Sequence, residues 1–146
     1  FLGLTFNWGI IMGWTSITNS ISIEPLILYL SAIFWTLGYD TIYAHQDKED
    51  DVLIGVKSTA LKFGDGTKPW LVGFYSITVI LLAATGLLAN LAWPFYSGLT
   101  LAALHLAWQI KSVDIANSKN CLRRFKSNRD FGLILLAGII AAQVIG

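Results

Sequence analysis

The acidic stretch from residue 40 to residue 51 carries the side chains of this sequence best suited to chemistry. It holds five of the nine acidic residues in the chain, namely Asp40, Asp47, Glu49, Asp50 and Asp51. At about 100° per residue on a helix, Asp40, Asp47 and Asp51 fall within an arc of roughly 40°. Asp50 lies beside that arc and Glu49 points away. Carboxylates grouped in this way repel each other unless a cation lies between them, so the spacing predicts a cation site.

The oxygen ligands of this stretch limit which cation it could bind, and a stretch that binds no cation is the alternative. Carboxylate oxygens suit Mg²⁺ or Ca²⁺. An EF-hand is excluded because Val52 stands where such a loop needs glycine. Zinc is disfavoured because His45 faces away from the stripe and no cysteine is near. The alternative is a solvated charged loop at the end of a helix.

The elements that must position these carboxylates are membrane helices. The chain is 55% hydrophobic and only 13% charged, whereas soluble domains carry about 25% charged residues. We therefore predict an all-α, polytopic transmembrane helix bundle of about five spans, forming one partial domain over residues 1–146. The predicted spans cover residues 1–17, 26–46, 69–88, 92–110 and 131–146, and polar loops cover residues 47–68 and 111–130.

The positions of lysine and arginine predict the orientation of the bundle. All ten lie in the two polar loops, and the connections at 18–25 and 89–93 have none. The positive-inside rule puts both basic loops, and the acidic stretch with them, on the cytoplasmic side of a bacterial inner membrane or the matrix side of a mitochondrial inner membrane. The net charge of +1 gives no basic surplus for a nucleic-acid partner.

A carboxylate-bound Mg²⁺ at the edge of an apolar bundle indicates a lipid diphosphate as ligand. Mg²⁺ in such sites keeps positions open for phosphate oxygens, and an isoprenoid tail would lie among the helices. Lys57, six residues after Asp51, is placed to meet the diphosphate as a point charge. The alternative for Lys57 is an interfacial lysine that extends its amine to water.

Residues 38–64 closely resemble the second aspartate-rich motif of the UbiA superfamily of intramembrane prenyltransferases. The similarity rests on Tyr-Asp-x-x-Tyr-Ala from Tyr39, Asp-x-x-Asp-Asp from Asp47, and Ile-Gly-Val-Lys-Ser-Thr-Ala from Ile54. Within the superfamily these motifs resemble the 4-hydroxybenzoate polyprenyltransferase branch of ubiquinone biosynthesis. Weaker similarity covers residues 2–9 and 121–132. Only the C-terminal half of such an enzyme is matched, and we expect the chain to be a fragment.

The resemblance implies a bundle of nine transmembrane helices around a central cavity, with two aspartate-rich motifs that bind Mg²⁺ and diphosphate. It assigns the catalytic, metal-binding pair to Asp47 and Asp51, with Asp50 as a further metal ligand. Three more residues match positions that line the substrate pocket: Asp40, Tyr43 and Lys57. The first motif of the family is absent from this sequence, and we expect the chain alone to be inactive.

The activity implied by the resemblance is Mg²⁺-dependent transfer of a polyprenyl group from polyprenyl diphosphate to 4-hydroxybenzoate. Aromatic faces can stabilise an allylic cation. The candidates for this role, each with core packing or lipid contact as its alternative, are Phe34, Trp35, Tyr39 and Phe74. His105 is either a hydrogen-bonded interior residue or a pocket residue.

Other functions stay open on the sequence alone. A UbiA-type enzyme that makes a menaquinone, haem or chlorophyll precursor is one, and the residues around Lys57 argue against it. A non-enzymatic membrane transport module is another. Such a module predicts carboxylates deep in the spans, and residues 69–110 contain none. A truncated product without activity is the last.

Overall fold

The structure, a computed structural model, describes residues 2–46 and 62–145. Over these ranges the chain forms helices and short turns and no strand, which confirms the all-α prediction. A short 3₁₀ turn, Gly64–Gly66, precedes the fourth helix. The α-helices are α1 (Leu2–Phe6), α2 (Gly9–Thr18), α3 (Ile23–Ala44), α4 (Thr67–Leu88), α5 (Trp93–Ser112), α6 (Ser118–Lys126) and α7 (Asn128–Ile145).

Most helix ends lie within three residues of those expected from the apolar runs, because turn residues mark them. Asn90 follows α4 with a φ of 51°, in the left-handed region that asparagine tolerates better than most residues. Pro94 occupies the first turn of α5, where its missing N–H would have had no helical partner. Asn19 ends α2 in the same left-handed conformation as Asn90.

The first predicted helix, residues 1–17, is divided in the structure into α1 and α2. The break falls at Asn7 and Trp8. The side-chain amide of Asn7 donates to the carbonyl oxygen of Gly3 at 2.8 Å and to Oγ1 of Thr36 at 2.9 Å. Such a side chain competes with the backbone for helical partners, and here it also fastens α1 to α3.

The polar loop predicted for residues 111–130 contains α6. Asn117 caps this helix by accepting a hydrogen bond from the backbone N–H of Asn120 at 3.0 Å. Cys121 is fully buried, and Phe125, one turn later, packs on aromatic rings of α3. The prediction of a loop was wrong for Ser118–Lys126, and the helical spacing of these two residues is a sequence signal that could have indicated α6.

Two helix pairs, α3 with α4 and α5 with α7, make the most extensive contacts, and α4 and α5 join them. Both pairs depend on glycine. A Cβ at Gly38 would lie 2.2 Å from the ring of Tyr75 on α4, and one at Gly98 would lie 2.8 Å from the Cα of Gly138 on α7. The fully or nearly buried core includes Ile42, Leu71, Ala102, Leu106 and Phe131.

Three helical stretches of the described residues are long and apolar enough to cross a membrane: Ile23–Ala44, Thr67–Leu88 and Ser118–Ile145. Helix α5 has 20 residues, but His105, Gln109 and Lys111 make it more polar. Helices α1 and α2 are short, with 5 and 10 residues. The membrane boundaries predicted for these two regions therefore stay predictions.

Candidate functional site

The last two turns of α3 carry the described part of the predicted site. Asp40 and Tyr43, three residues apart, are neighbours on the helix surface. Asp40 is half-buried, and its carboxylate makes no hydrogen bond or ion pair within residues 2–46 and 62–145. The ring of Tyr43 lies 4.8 Å from that of Phe125 on α6, centroid to centroid. Helix α6 therefore packs against the last turns of α3.

A cavity of about 360 Å³ lies next to these residues, between α1, α3, α6 and α7. We call it the aromatic cavity. Its walls include the side chains of Phe6, Asn7, Trp35, Tyr39, Phe125 and Asn128, and Lys126 and Arg129 also line it. An apolar space with a few polar groups is the usual composition of a small-molecule site.

Contacts between remote parts of the chain hold the walls of the aromatic cavity in place. Trp35 Nε1 donates to Asn128 Oδ1 at 3.0 Å, and Asn128 Nδ2 donates to the carbonyl oxygen of Phe125 at 3.0 Å. The ring of Trp35 lies 5.3 Å from that of Tyr39 and 4.9 Å from that of Phe131. The side chains facing the cavity are thus fixed before any ligand enters.

The four aromatic residues proposed from the sequence divide into two groups. Trp35 and Tyr39, one turn apart on α3, both line the aromatic cavity. Phe34 instead lies against Phe74 of α4, with ring centroids 6.4 Å apart, and neither lines this cavity. Sequence analysis missed Phe125 and Asn128, because more than 80 residues separate them from α3 and no local pattern joins such distant positions.

His45 closes the described part of α3. Its Nε2 lies 2.8 Å from Oγ1 of Thr67, and that hydroxyl donates to the carbonyl oxygen of Gly64 at 2.7 Å. Because the single hydroxyl hydrogen is used on Gly64, His45 Nε2 must be the donor to Thr67. This chain of hydrogen bonds joins the end of α3 to the start of α4, and Asp47, Asp50 and Asp51 lie between His45 and Thr67 in the sequence.

The two remaining polar candidates have different outcomes. His105 Nε2 donates to the carbonyl oxygen of Ser127 at 3.0 Å, which makes it a hydrogen-bonded interior residue. The carboxylates of Asp47, Asp50 and Asp51, with the amine of Lys57, lie outside the described residues, so their assignments stay predictions. Among the residues that the structure does describe, no three histidine, cysteine or acidic side chains are grouped to hold a metal.

Comparison with known proteins decides the family. The model of the UbiA prenyltransferase family matches residues 1–139. The chain belongs to the UbiA prenyltransferase family. This confirms the resemblance drawn from the acidic motif, and the helical fold described above is consistent with a UbiA-type membrane bundle. No solved structure matches the chain.

Several relatives of this UbiA chain carry the name "4-hydroxybenzoate polyprenyltransferase, mitochondrial". The protein of Arabidopsis thaliana is 52% identical over 98% of the chain, that of Homo sapiens 49% over 98%, and that of Caenorhabditis elegans 48% over 99%. The chain spans only 35%, 39% and 41% of their respective lengths. With three helices apolar enough to span a bilayer, it is part of an integral membrane protein.

Proposed function

We propose that the protein containing this chain transfers a polyprenyl group from polyprenyl diphosphate to 4-hydroxybenzoate. The observation that carries the proposal is the similarity over nearly the whole chain to relatives with that name, 52% identical in the case of Arabidopsis thaliana. Because the chain spans about 35–41% of such relatives, the activity is proposed for the complete protein. The word mitochondrial in the names of the relatives favours a mitochondrial membrane. In the inner membrane, the positive-inside rule would place the acidic stretch on the matrix side.

The reaction is an aromatic substitution. The allylic C–O bond of the donor breaks and leaves diphosphate and an allylic cation. The ring carbon ortho to the hydroxyl of 4-hydroxybenzoate attacks the cation and forms the new C–C bond. The proton on that carbon is then lost to a base, which restores the aromatic ring.

The acidic stretch suits the leaving diphosphate. Asp47, Asp50 and Asp51 would hold Mg²⁺, a hard cation that matches their oxygen donors. Asp40, which is half-buried and unpaired among the described residues, would be a fourth carboxylate available to the same site. When bound, Mg²⁺ neutralises diphosphate charge and makes it a better leaving group. Lys57 would contribute a positive charge to the same diphosphate.

The aromatic cavity suits the other partners of the reaction. The rings of Trp35, Tyr39 and Phe125 can face an allylic cation or stack on an aromatic acceptor. Lys126 and Arg129, which also line the cavity, supply positive charge for a carboxylate such as that of 4-hydroxybenzoate. A volume of about 360 Å³ falls within the range of about 300–1,000 Å³ typical of ligand sites.

The test uses the complete protein in liposomes, with a polyprenyl diphosphate, Mg²⁺ and 4-hydroxybenzoate. We expect Asp47→Asn and Asp51→Asn each to lower kcat/KM by at least about 100-fold, the effect of removing a major source of transition-state stabilisation. Asp114→Asn, which removes one charge from an exposed loop residue, should retain full activity. Equal activity of Asp47→Asn and Asp114→Asn, or a preference for dihydroxynaphthoate as acceptor, would contradict the proposal.

A further inference from the structure

Four basic side chains line a second cavity, of about 390 Å³, where α6 turns into α7. We call it the basic pocket, and its cations are Arg123, Arg124, Lys126 and Arg129. The only ion pair among the described residues joins Arg129 to Asp130 at 2.9 Å, and both partners are exposed. Asp130 also lines the pocket and offsets the charge of Arg129, so the lining keeps a surplus of positive charge from Arg123, Arg124 and Lys126.

Contacts with the rest of the protein hold the guanidinium of Arg124 in position in the pocket. The Cζ of Arg124 lies 4.1 Å from the ring centroid of Trp108 on α5, a cation–π contact that orients the side chain. The Nε of Arg124 is buried and has no hydrogen-bond partner in the described part of the chain. A buried donor of this kind is costly unless a ligand or water satisfies it.

Two exposed apolar stripes each lead to a residue that lines the basic pocket. On α5, Leu101, Leu104 and Trp108 are 58%, 61% and 46% exposed and fall within an arc of roughly 60°. On α7, Leu133, Leu136 and Ile140 are 56%, 51% and 55% exposed. They share a face with Arg129, one turn before the first of them. Each stripe therefore runs from the apolar body of the bundle to a residue that lines the pocket.

We propose that the basic pocket binds the phosphate of an anionic phospholipid, with the acyl chains along the two stripes. Guanidinium groups match the oxygens of a phosphate in geometry and charge, and basic pockets between membrane helices are known to suit anionic headgroups. Free diphosphate offers the same phosphate chemistry, but it leaves the apolar stripes without a partner. Arg123 and Arg124, on which the proposal rests, line the basic pocket and not the aromatic cavity, so the proposal does not depend on the transferase activity proposed above.

The experiment compares lipid binding by the complete protein in detergent, by native mass spectrometry and by thermal stabilisation. Phosphatidylglycerol is the anionic probe, phosphatidylcholine the zwitterionic one, and inorganic pyrophosphate tests for a free phosphate ligand. The pocket variant is Arg123→Gln with Arg124→Gln. The matched control is Lys111→Gln with Lys119→Gln, which removes the same charge from exposed lysines outside the pocket. Lys126 and Arg129 stay unchanged because they also line the aromatic cavity.

We expect the wild-type protein and the control to retain phosphatidylglycerol over phosphatidylcholine, and the pocket variant to bind phosphatidylglycerol about 20-fold more weakly. An unchanged melting temperature in lipid-free detergent will show that the pocket variant is folded, and Trp108→Leu, which removes the stacking partner of Arg124, should weaken binding in the same direction. Equal losses in pocket and control variants would overturn the proposal. So would equal binding of both lipids, or stabilisation by pyrophosphate that both arginines control.

Discussion

The side-chain hydroxyl of Thr67 makes two hydrogen bonds and links α3 to α4. It accepts from His45 at 2.8 Å and donates to the carbonyl oxygen of Gly64 at 2.7 Å, and the side chains of His45 and Thr67 are both buried. In this way the end of α3 is joined to the start of α4, and Asp47, Asp50 and Asp51 lie between the two joined residues in the sequence. We therefore expect the site proposed at these carboxylates to depend on a contact that involves none of them.

Replacing Thr67 by valine keeps the shape of the side chain and removes both hydrogen bonds. We expect Thr67→Val to lower the free energy of unfolding by about 1–3 kcal/mol, because a buried donor and a buried acceptor lose their partner. Thr100→Val is the matched control, since Thr100 is exposed and its hydroxyl donates only within its own helix, to Tyr96. Thermal unfolding of the complete protein in mild detergent measures both. Similar losses for the two variants would refute this role of Thr67.

The sequence predicted functional residues best where they lie on the same helix, close together in the chain. Asp40 was selected from its spacing on one helix, Tyr43 from the family resemblance, and Trp35 and Tyr39 as aromatic residues of a predicted span. The structure places the last two on the wall of one cavity. The role of Asn128 could not be predicted from the sequence, because it depends on a 3.0 Å hydrogen bond to Trp35, 93 residues away. A single sequence records which residues share a helix face, and not which faces meet.

At the level of helices, α5 and α7 approach through a glycine pair. A Cβ on Gly98 would lie 2.8 Å from the Cα of Gly138, and one on Gly138 would lie 3.1 Å from the Cα of Gly98. Small residues allow such backbone contact between membrane helices, where van der Waals packing is a main source of association. A backbone atom cannot rotate out of the way as a side chain would, so a larger residue must push the helices apart.

Gly98→Ala is therefore expected to destabilise the bundle by about 1–3 kcal/mol, the usual effect of overpacking. Gly73→Ala is the control, because Gly73 lies within α4 and a Cβ there meets nothing within 4 Å. That substitution should be neutral or slightly stabilising, since alanine has the better helix propensity. Denaturation of the complete protein in mild detergent distinguishes the two, and a stable Gly98→Ala variant would show that the helices can separate without loss.

A buried polar network also joins helices that sequence analysis treated as separate apolar spans. Tyr75 of α4 donates to the side-chain oxygen of Gln109 on α5, and Gln109 Nε2 donates to the carbonyl oxygen of Arg124 at 3.0 Å and to Oγ of Ser127 at 3.1 Å. Gln109 is fully buried. A buried glutamine lowers the mean hydropathy of α5 and so weakens the prediction of a membrane span. Its hydrogen-bond partners, however, make it a link between α4, α5 and the turn before α7.

At the scale of the whole molecule, the helix pairing and the basic residues together predict on which side of the membrane each loop between helices lies. Helices α4 and α5 pack against each other and are joined by residues 89–92 alone, so they run in opposite directions. The connection between them has no basic residue, while Lys62 and Lys68 precede and follow the start of α4 and Lys119 lies after α5. The charge asymmetry and the helix pairing thus make the same prediction: residues 68 and 119 face one compartment and residue 89 faces the other.

Single cysteines in the complete protein, with its other cysteines replaced except Cys121, can test this arrangement. We expect Lys68→Cys and Lys119→Cys to react with a membrane-impermeant maleimide from the matrix or cytoplasmic side, and Ala89→Cys to react only from the opposite side. Cys121 is fully buried, so the parent protein provides an unlabelled baseline. If Lys68→Cys and Lys119→Cys react from opposite sides, α4 and α5 cannot both cross the bilayer. The more polar α5 would then lie within the protein or at the interface, and the acidic stretch and the basic pocket would no longer share a compartment.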